Sequence, residues 1–501
     1  MRNVHKAVRF FGALEMKNKN IVKCQKFSMV IFFVMVMLTG TGCNDINYPA
    51  DVLDKSPYDM SGGSFVINND EEFAYSQGVT LSCTVDNATL MQFSNDAHTW
   101  SNLQPYEPVV QWMLPLRYGE HVVFGRFQNS RGDTVQYEDS VFFIERLVHT
   151  AGTYLGGDVA ISSDGSVVVA GSYEGNANAV YVFRKQQIDW DYTVIKPDDV
   201  QQGDKFGYSV ALSGNGNWLF VGAPVKKAVY VYYYTNNSWQ LKQTITSSTA
   251  SFGNDVSTDT NGDYLIIIAY DGKAYSIYQK DGLQYTSKQT WTYAQSKPYS
   301  VQITKDAKYL FVGLNKENKG SVSVYSFPPP INGLFATITP GDNQDFAEFG
   351  RSISVTSDGS LCVIGAPGYS IQGNDNKGCF YVYQKSGNGY TLLAQMKNIN
   401  GTIGDALGKA VCIVPNGLYI IASMSLSDEG GSDRGKVGVY KLNGTSLEYI
   451  DSYLPDDRYT KCFFGESLAV SNNGVIAIGA PYAYVDTTND NGGVVYIRRL
   501  E

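Results

Sequence analysis

Short apolar runs separated by turn-forming residues follow one another along most of the chain. The runs are rich in aromatic and β-branched residues, and Gly, Asn or Asp interrupts them every few positions. No long segment with a 3.6-residue apolar period appears after residue 45. This pattern is typical of β-strands joined by tight turns, so the sequence predicts an all-β fold.

One frame recurs from the middle of the chain to its end. Phe206–Pro224 reads FGYSVALSGNGNWLFVGAP, and Phe464–Pro481 repeats it as FGESLAVSNNGVIAIGAP. Each unit predicts a small-residue strand, an Asn-Gly or Asp-Gly turn of type I′, a second strand, a tyrosine-rich third strand and a fourth strand. Units of about 50 residues with four strands each predict a β-propeller. The seven units begin near Leu155, Phe206, Phe252, Lys297, Phe349, Leu407 and Phe464.

The last unit ends at its third strand, VVYIRRL, and lacks a fourth. The segment Glu145–Thr150 precedes the first unit and has no partner of its own. We therefore expect this segment to complete the seventh blade, which would remove two open sheet edges. The predicted propeller spans residues 145–501.

These motifs resemble the FG-GAP repeat of integrin α-subunit propellers and their bacterial relatives, over roughly 350 residues. In the calcium-binding members of that family, the first turn is an extended loop with a DxDxDG-like ligand set. Here the turns are short, and calcium needs six to eight oxygen ligands. Only Asp259, Asn261 and Asp263 come close to such a set, so they are weak candidates for calcium, and no other cofactor is expected. The repeated frame is interpreted as structural: Phe packs between blades and Gly permits their close approach.

Residues 61–144 have a different pattern. Val79–Val85 alternates with period two, placing Val79, Leu81, Cys83 and Val85 on one face. Together with MQFSND from Met91, Trp100 and QWML from Gln111, this segment resembles a small bacterial Ig-like domain, which implies a β-sandwich acting as a spacer.

The N-terminal 43 residues resemble a lipoprotein signal peptide. A basic stretch precedes the apolar run Met29–Leu38, which is too short to span a bilayer, and small residues lead into Cys43. Cys43 would then be acylated, residues 44–60 would form a polar tether, and the protein would be anchored in the bacterial cell envelope, at the outer membrane or cell surface. Plain secretion is the alternative.

Charge and cysteine content narrow the function classes. The net charge of −9 argues against nucleic-acid binding, which needs a basic face. Five cysteines follow Cys43, with no CxxC motif, and most lie in strand-like runs. Buried free thiols are the prediction, and a Cys362–Cys379 disulfide is the alternative.

No catalytic signature is found in the sequence. The histidines after the leader, His98, His121 and His149, lie outside the repeats, and no G-x-S-x-G, HExxH or P-loop motif occurs. Paired carboxylates for glycoside chemistry remain an alternative.

Tyrosines recur just after the second strand of several units, two of them beside an acidic residue. Tyrosine combines a flat apolar ring with a polar tip, which suits sugar or peptide ligands. The alternative is that these rings pack across neighbouring loops. The candidate binding residues are Tyr173, Glu174, Tyr270, Asp271, Tyr369, Tyr482 and Tyr484.

The sequence therefore predicts a surface-anchored, non-enzymatic binding or adhesion protein whose acidic loop face takes a glycan or protein ligand. The alternatives are a carbohydrate-active lyase or hydrolase using carboxylates on the same face, and an envelope assembly component.

Overall fold

The computed structural model describes residues 58–500 apart from 61, 72, 117–118, 149–152, 175–176, 187–189, 316–318, 329–332, 342–346, 372, 374, 430, 456–460 and 485–491. Every regular element within these residues is a β-strand, in agreement with the all-β prediction. The predicted signal peptide with Cys43 and most of the tether lie outside the described residues. In the described part of the chain, no helix of the length and apolarity needed to cross a membrane is found.

Two sheets form the N-terminal part of the described chain, one in the order β1-β3-β6 and one in the order β2-β8-β7-β4-β5. Burial alternates along β3, where Val79, Leu81 and Cys83 are buried, as the period-two pattern predicts. These side chains share one apolar core with Phe93 and Phe127 of the other sheet. The strands are β1 (Ser64–Ile67), β2 (Phe73–Ala74), β3 (Gly78–Thr84), β4 (Ala88–Ser94), β5 (Gln104–Pro105), β6 (Val109–Met113), β7 (Gly119–Asn129) and β8 (Thr134–Phe143).

Seven four-stranded antiparallel sheets follow in the described residues, named sheets 1 to 7 in chain order. Strand β9 (Arg146–Val148) precedes sheet 1. Sheets 1 to 3 comprise β10 (Val159–Ile161), β11 (Val167–Ser172), β12 (Ala179–Lys185), β13 (Trp190–Ile195); β14 (Ser209–Leu212), β15 (Trp218–Ala223), β16 (Ala228–Thr235), β17 (Ser238–Thr246); and β18 (Phe252–Thr258), β19 (Tyr264–Ala269), β20 (Ala274–Asp281), β21 (Gln284–Thr292).

Sheets 4 to 7 repeat the same up-and-down order. They comprise β22 (Lys297–Ile303), β23 (Tyr309–Asn315), β24 (Ser321–Ser326), β25 (Leu334–Ile338); β26 (Ile353–Val355), β27 (Leu361–Ala366), β28 (Cys379–Ser386), β29 (Gly389–Lys397); β30 (Val411–Ile413), β31 (Tyr419–Met424), β32 (Lys436–Asn443), β33 (Ser446–Tyr453); and β34 (Ser467–Val470), β35 (Val475–Ala480), β36 (Val494–Arg499) with β9.

Each sheet packs against both of its neighbours, so the sheets form a closed ring. Sheets 1 and 2 share a core that contains Val182 and Phe206, and sheets 7 and 1 share one that contains Ile497 and Tyr181. The other neighbouring pairs share equivalent clusters. Burying one such side chain contributes about 1.5–3 kcal/mol, so the interfaces between sheets supply the main driving force for this architecture.

The seventh sheet is completed by strand β9, from the beginning of the ring. Val148 pairs with Val494 and Leu147 with Val495. Next to this strand, the carboxylate of Glu145 accepts hydrogen bonds from Lys185 Nζ at 2.5 Å and Trp190 Nε1 at 2.6 Å, and also from Arg499. Glu145 thus joins the two sheets at which the ring closes.

The Phe-Gly pairs have the structural role expected from the repeat. Phe206 is fully buried and its ring meets Tyr230 edge to face at 5.1 Å. The backbones of neighbouring sheets touch at glycines: a Cβ built on Gly222 would lie 2.1 Å from the carbonyl oxygen of Gly253 in the next sheet. Gly253 itself has a φ of 92°, which L-residues rarely adopt.

The first turn of each sheet differs from the predicted type I′ form. In the turn of sheet 2, Gly216 has a φ of 69°, but Asn215 does not have a positive φ. The turn is wider because Ser213 Oγ accepts the N–H of Trp218 at 2.9 Å and donates to Asn215 Oδ1 at 2.7 Å. These side-chain bonds replace the tight turn that the dipeptide suggests.

These first turns contact one another around the axis of the ring. Backbone hydrogen bonds of 2.8–3.3 Å join the turns of sheets 7 and 1, 1 and 2, 2 and 3, 3 and 4, and 4 and 5. The central channel is therefore narrow at this end. The bonds run from Asn472, Ser163, Gly214, Thr260 and Asp306 N–H to the carbonyls of Ser163, Gly214, Thr260, Lys305 and Ser357, respectively.

All five described cysteines are buried free thiols, so Cys362 and Cys379 are not bonded to each other. Burial raises the pKa of the Cys412 thiol to about 12, which keeps it protonated and unreactive.

Candidate functional site

In each repeat, the residue after Phe-Gly occupies the start of the innermost strand. Where a repeat has Leu-Gly or Lys-Pro in place of Phe-Gly, the residue after that pair occupies the same position. The glycine turns the chain into this strand in a left-handed conformation, for example Gly350 with a φ of 92°. Five of the seven residues at this position line one cavity in the central channel. In chain order the residues at this position are Gly157, Tyr208, Asn254, Tyr299, Arg351, Lys409 and Glu466.

The cavity, called the channel pocket below, has a volume of about 720 Å³. This volume is within the range of small-molecule binding sites. It lies at the end of the channel opposite the contacting turns, because its lining comes from the starts of first strands and the ends of second strands. The described lining residues are Tyr208, Asn254, Tyr270, Tyr299, Glu348, Arg351, Pro367, Gly368, Asn376, Gly404, Ala406, Lys409 and Leu426.

Tyrosine rings form one side of the channel pocket. The rings of Tyr270 and Tyr299 are nearly parallel, with centroids 5.8 Å apart and an interplanar angle of 19°. Tyr208 also lines the pocket, and its ring packs against Tyr173 at 4.8 Å. Burial raises the pKa of Tyr299 to about 12, so this phenol is neutral and can donate or accept hydrogen bonds.

Charged side chains also line the channel pocket. Lys409 Nζ lies 3.0 Å from Glu466 Oε1 and is thereby paired. Arg351 is half-buried, and its guanidinium carbon lies 5.3 Å from the centroid of the Tyr299 ring. No carboxylate of the described residues forms an ion pair with Arg351. Glu348 lines the pocket and is exposed.

Two half-buried carboxyl groups, Asp158 and Asp255, lie on the innermost strands or next to them. Asp158 Oδ2 accepts the N–H of Val210 at 2.7 Å, and Asp255 Oδ2 accepts that of Val301 at 2.7 Å, in each case from the next sheet. Burial raises the pKa of Asp158 to about 7. Burial also raises the pKa of Asp255 to about 8, and the neighbouring Asp158 adds to this rise. Both groups satisfy backbone donors between adjacent innermost strands.

Of the candidates predicted from the sequence, only Tyr270 lines the channel pocket. Asp271 follows it at the exposed rim, where it accepts hydrogen bonds from Lys297 Nζ at 2.8 Å and Ser251 Oγ at 2.6 Å. These bonds lower the pKa of Asp271. The Nζ atom of Lys297 also lies 4.5 Å from the centroid of the Tyr270 ring.

A second group of predicted residues meets where sheets 1 and 7 adjoin. Tyr482 donates a hydrogen bond of 2.8 Å to Glu174 Oε2, and its ring packs against Tyr154 and Phe463. Tyr484 is half-buried and lies two residues further along the chain. These contacts agree with the alternative that the rings pack across neighbouring loops.

Tyr369 is a correction to the predicted set. Its side chain is only 3 % exposed and belongs to the apolar core shared by sheets 4 and 5. The Ala-Pro-Gly turn that precedes it directs the chain back into the sheet interface, so its ring does not line the channel pocket.

The weak calcium candidates lie in the first turn of sheet 3. Asp259 is 3 % exposed and accepts the N–H groups of Tyr264 at 2.8 Å and Asn261 at 3.3 Å. Asp263 pairs with Lys280 at 2.7 Å. Within the described ranges, no group of three or more His, Cys, Asp or Glu residues is arranged to hold a metal ion.

The prediction from sequence missed Tyr208, Tyr299, Arg351 and Lys409. Their signal is present in the repeats, since they occupy the one variable position directly after Phe-Gly or its counterpart. Positions around that residue keep their type because they pack between sheets, whereas this position faces the channel and is free to vary.

Comparison with known proteins supports the same fold. The FG-GAP repeat family matches residues 192–232 and 333–383. No curated protein sequence matches the chain. Among solved structures, the RRP9 WD40 repeats match with a TM-score of 0.52 at 12 % identity, over 71 % of this chain and 97 % of that one. The Kuenenia stuttgartiensis hydrazine synthase matches with a TM-score of 0.51 at 11 % identity, over 71 % and 97 % of the two chains. At such identities the likeness shows the fold alone, a β-propeller, in which two stretches resemble the FG-GAP repeat.

Proposed function

We propose that this chain is a non-enzymatic binding protein that takes a glycan ligand in the channel pocket of a seven-bladed propeller. The observation that carries the proposal is the stacked pair Tyr270 and Tyr299 in a cavity of about 720 Å³. Flat aromatic rings bind the apolar faces of sugars, and neighbouring polar groups bind their hydroxyls. Asn254 and Asn376 supply such amide groups at the pocket.

The remaining parts of the chain suit the presentation of this pocket at a surface. Seven four-stranded sheets in a closed ring support seven blades. The two N-terminal sheets with one shared core support an Ig-like spacer. The small residues before Cys43 support acylation there, which would place the protein in a bacterial cell envelope, at the outer membrane or cell surface.

A glycan array tests the proposal. The full chain, purified in detergent and labelled, is applied with calcium and with a chelator. We expect a cluster of chemically related glycans to bind, and Tyr270→Ala and Tyr299→Ala to weaken that binding at least tenfold. Tyr192→Ala is the matched control, because Tyr192 is 52 % exposed on the outermost strand of sheet 1.

An array without binding in either buffer would contradict a glycan ligand. Binding that survives both pocket substitutions would place the ligand elsewhere on the protein. Loss of binding under chelator would add a cation to the site.

A further inference from the structure

The channel pocket is lined by one cation, Arg351, that forms no ion pair with a carboxylate of the described residues. Of its charged lining residues, Lys409 is paired with Glu466 at 3.0 Å, and Glu348 is exposed. Arg351 is half-buried. A guanidinium that is partly removed from water binds best to a planar anion that accepts two parallel hydrogen bonds, which a carboxylate provides.

The half-buried Asp255 does not form an ion pair with Arg351. Asp255 lies in the channel wall, where its Oδ2 atom accepts the N–H of Val301. Desolvation raises the pKa of this half-buried carboxyl to about 8, which leaves it mainly uncharged at neutral pH. No ion pair within the described residues neutralises Arg351, so its positive charge is available to a ligand.

The aromatic side of the pocket indicates what bears the anion. The Arg351 guanidinium lies over the Tyr299 ring, at 5.3 Å from its centroid, and Tyr299 stacks on Tyr270. A sugar ring packed against these two tyrosines from the pocket would hold an attached carboxylate within reach of Arg351. An aliphatic acid would make no use of the two rings.

An extended acidic peptide fits this end of the channel less well. Peptides that add to a sheet need free N–H groups on an edge strand. On the innermost strands these groups are already bound by side chains of the preceding sheet, at Val210, Val301, Ile303 and Ile413. A saccharide needs no such edge.

We infer that the ligand of the channel pocket is an acidic saccharide, an oligosaccharide containing uronic acid, whose carboxylate binds Arg351 while a sugar ring packs against Tyr270 and Tyr299. This inference rests on the proposed glycan-binding function and names the ligand class for the same site.

Calorimetric titration of the detergent-purified full chain tests the inference. The probes are short oligomers of galacturonate, glucuronate and mannuronate, their methyl-esterified forms, the corresponding neutral oligosaccharides and an acidic hexapeptide of Asp and Glu. We expect at least one uronate oligomer to bind, and its methyl ester and neutral counterpart to bind at least tenfold more weakly.

Substitutions of Arg351 test whether this residue binds the carboxylate of the ligand. Arg351→Gln should weaken uronate binding at least tenfold, and Arg351→Lys should have an intermediate effect because it keeps the charge without the planar fork. Arg131→Gln is the matched control, since Arg131 lies in the exposed turn after β7. Thermal unfolding of each variant confirms that it is folded.

Each other outcome overturns the inference in a distinct way. Equal binding of acidic and neutral saccharides, unaffected by Arg351→Gln, would refute the acidic class and leave the glycan-binding function intact. Binding of the acidic peptide alone would assign the pocket to proteins. Binding of no saccharide would reject the inference and the proposed function together.

Discussion

Glu174, at the end of the second strand of sheet 1, accepts a hydrogen bond of 2.8 Å from the phenol of Tyr482, at the end of the second strand of sheet 7. The bond lies on the loop side of the ring and links its first and last sheets. Together with burial, it raises the pKa of Tyr482 to about 12. The ring closure is thus reinforced by side chains as well as by strand pairing.

Tyr482→Phe should lower the free energy of unfolding by about 1 kcal/mol, because it removes one bond to a charged, partly exposed acceptor and keeps the ring contacts. Urea denaturation measures this change. Tyr233→Phe is the matched control, because its ring packs on Trp218 at 4.6 Å and no side-chain hydrogen bond is shown for its hydroxyl. Equal stability of Tyr482→Phe and the wild type would show that the bond contributes nothing in solution.

Gly222→Ala should destabilise the ring by several times the cost of an ordinary surface glycine substitution. Its Cβ would lie 2.1 Å from the Gly253 carbonyl oxygen, so two sheets would have to move apart. Gly282→Ala separates this effect from backbone strain, since Gly282 has a φ of 61° and no atom within 4 Å of an added Cβ. We expect about 1 kcal/mol for Gly282→Ala. Similar losses for the two variants in urea denaturation would contradict the close-approach argument.

Stability should fall as the pH rises from 5 to 8, and Asp255 should account for part of the fall. The pKa of Asp255 is raised from 3.8 to about 8, so the folded state binds more protons than the unfolded state. Its favourable contribution is complete below pH 3.8 and is lost as the pH rises towards 8. Asp255→Asn should flatten the profile by roughly 3 kcal/mol between pH 5 and 8.

Urea denaturation at pH 5, 6, 7 and 8 measures this profile. Asp281→Asn, in an exposed position, should run parallel to the wild type. If Asp255→Asn keeps the wild-type slope, the Asp255 carboxyl does not titrate in this range.

Glu145→Gln should destabilise the junction of sheets 1 and 7 by about 2–3 kcal/mol. The Glu145 side chain is 6 % exposed, and the substitution leaves Lys185 and Arg499 partly buried without their carboxylate. Glu429→Gln is the control, because the Glu429 side chain, which pairs with Lys436, is 54 % exposed. That pair should contribute below about 1 kcal/mol.

The same group predicts a loss of stability in acid. Burial opposes the charge of Glu145, but Arg499 and Lys185 outweigh it and hold its pKa below 4.5. Its contribution is therefore present above pH 4.5 and lost as the pH falls through the lowered pKa. A wild-type acid unfolding curve that coincides with that of Glu145→Gln would refute this role.

The β-propeller was predictable because its signals are local and repeated. The apolar period, the turn residues and the Phe-Gly spacing all predict the same four-stranded sheet. Because this combination occurs seven times along the chain, it can be recognised from the sequence. The turn type was not predictable from the dipeptide, since the Ser213 hydroxyl, two positions before Asn215, decides the width of the loop.

The candidate site was predictable only in part. Tyr270 was found because its position after the second strand places it at the pocket. Tyr369 shares that position in the repeat, but it is buried by contacts with sheet 4 that local sequence does not encode. Arg351 was missed because the sequence of a single repeat does not indicate that the residue after Phe-Gly faces the central channel.

The pairing of the seventh sheet sets the order in which the molecule can be completed during synthesis. Arg499 leaves the ribosome 354 residues after Glu145, its partner across the junction. Until then, β9 has no strand to pair with, and the face of sheet 1 that packs against sheet 7 is exposed. The nascent ring therefore has an unpaired strand edge and an exposed apolar surface. Contacts so distant in sequence form slowly, and the unfinished chain needs protection from aggregation until the last strand arrives.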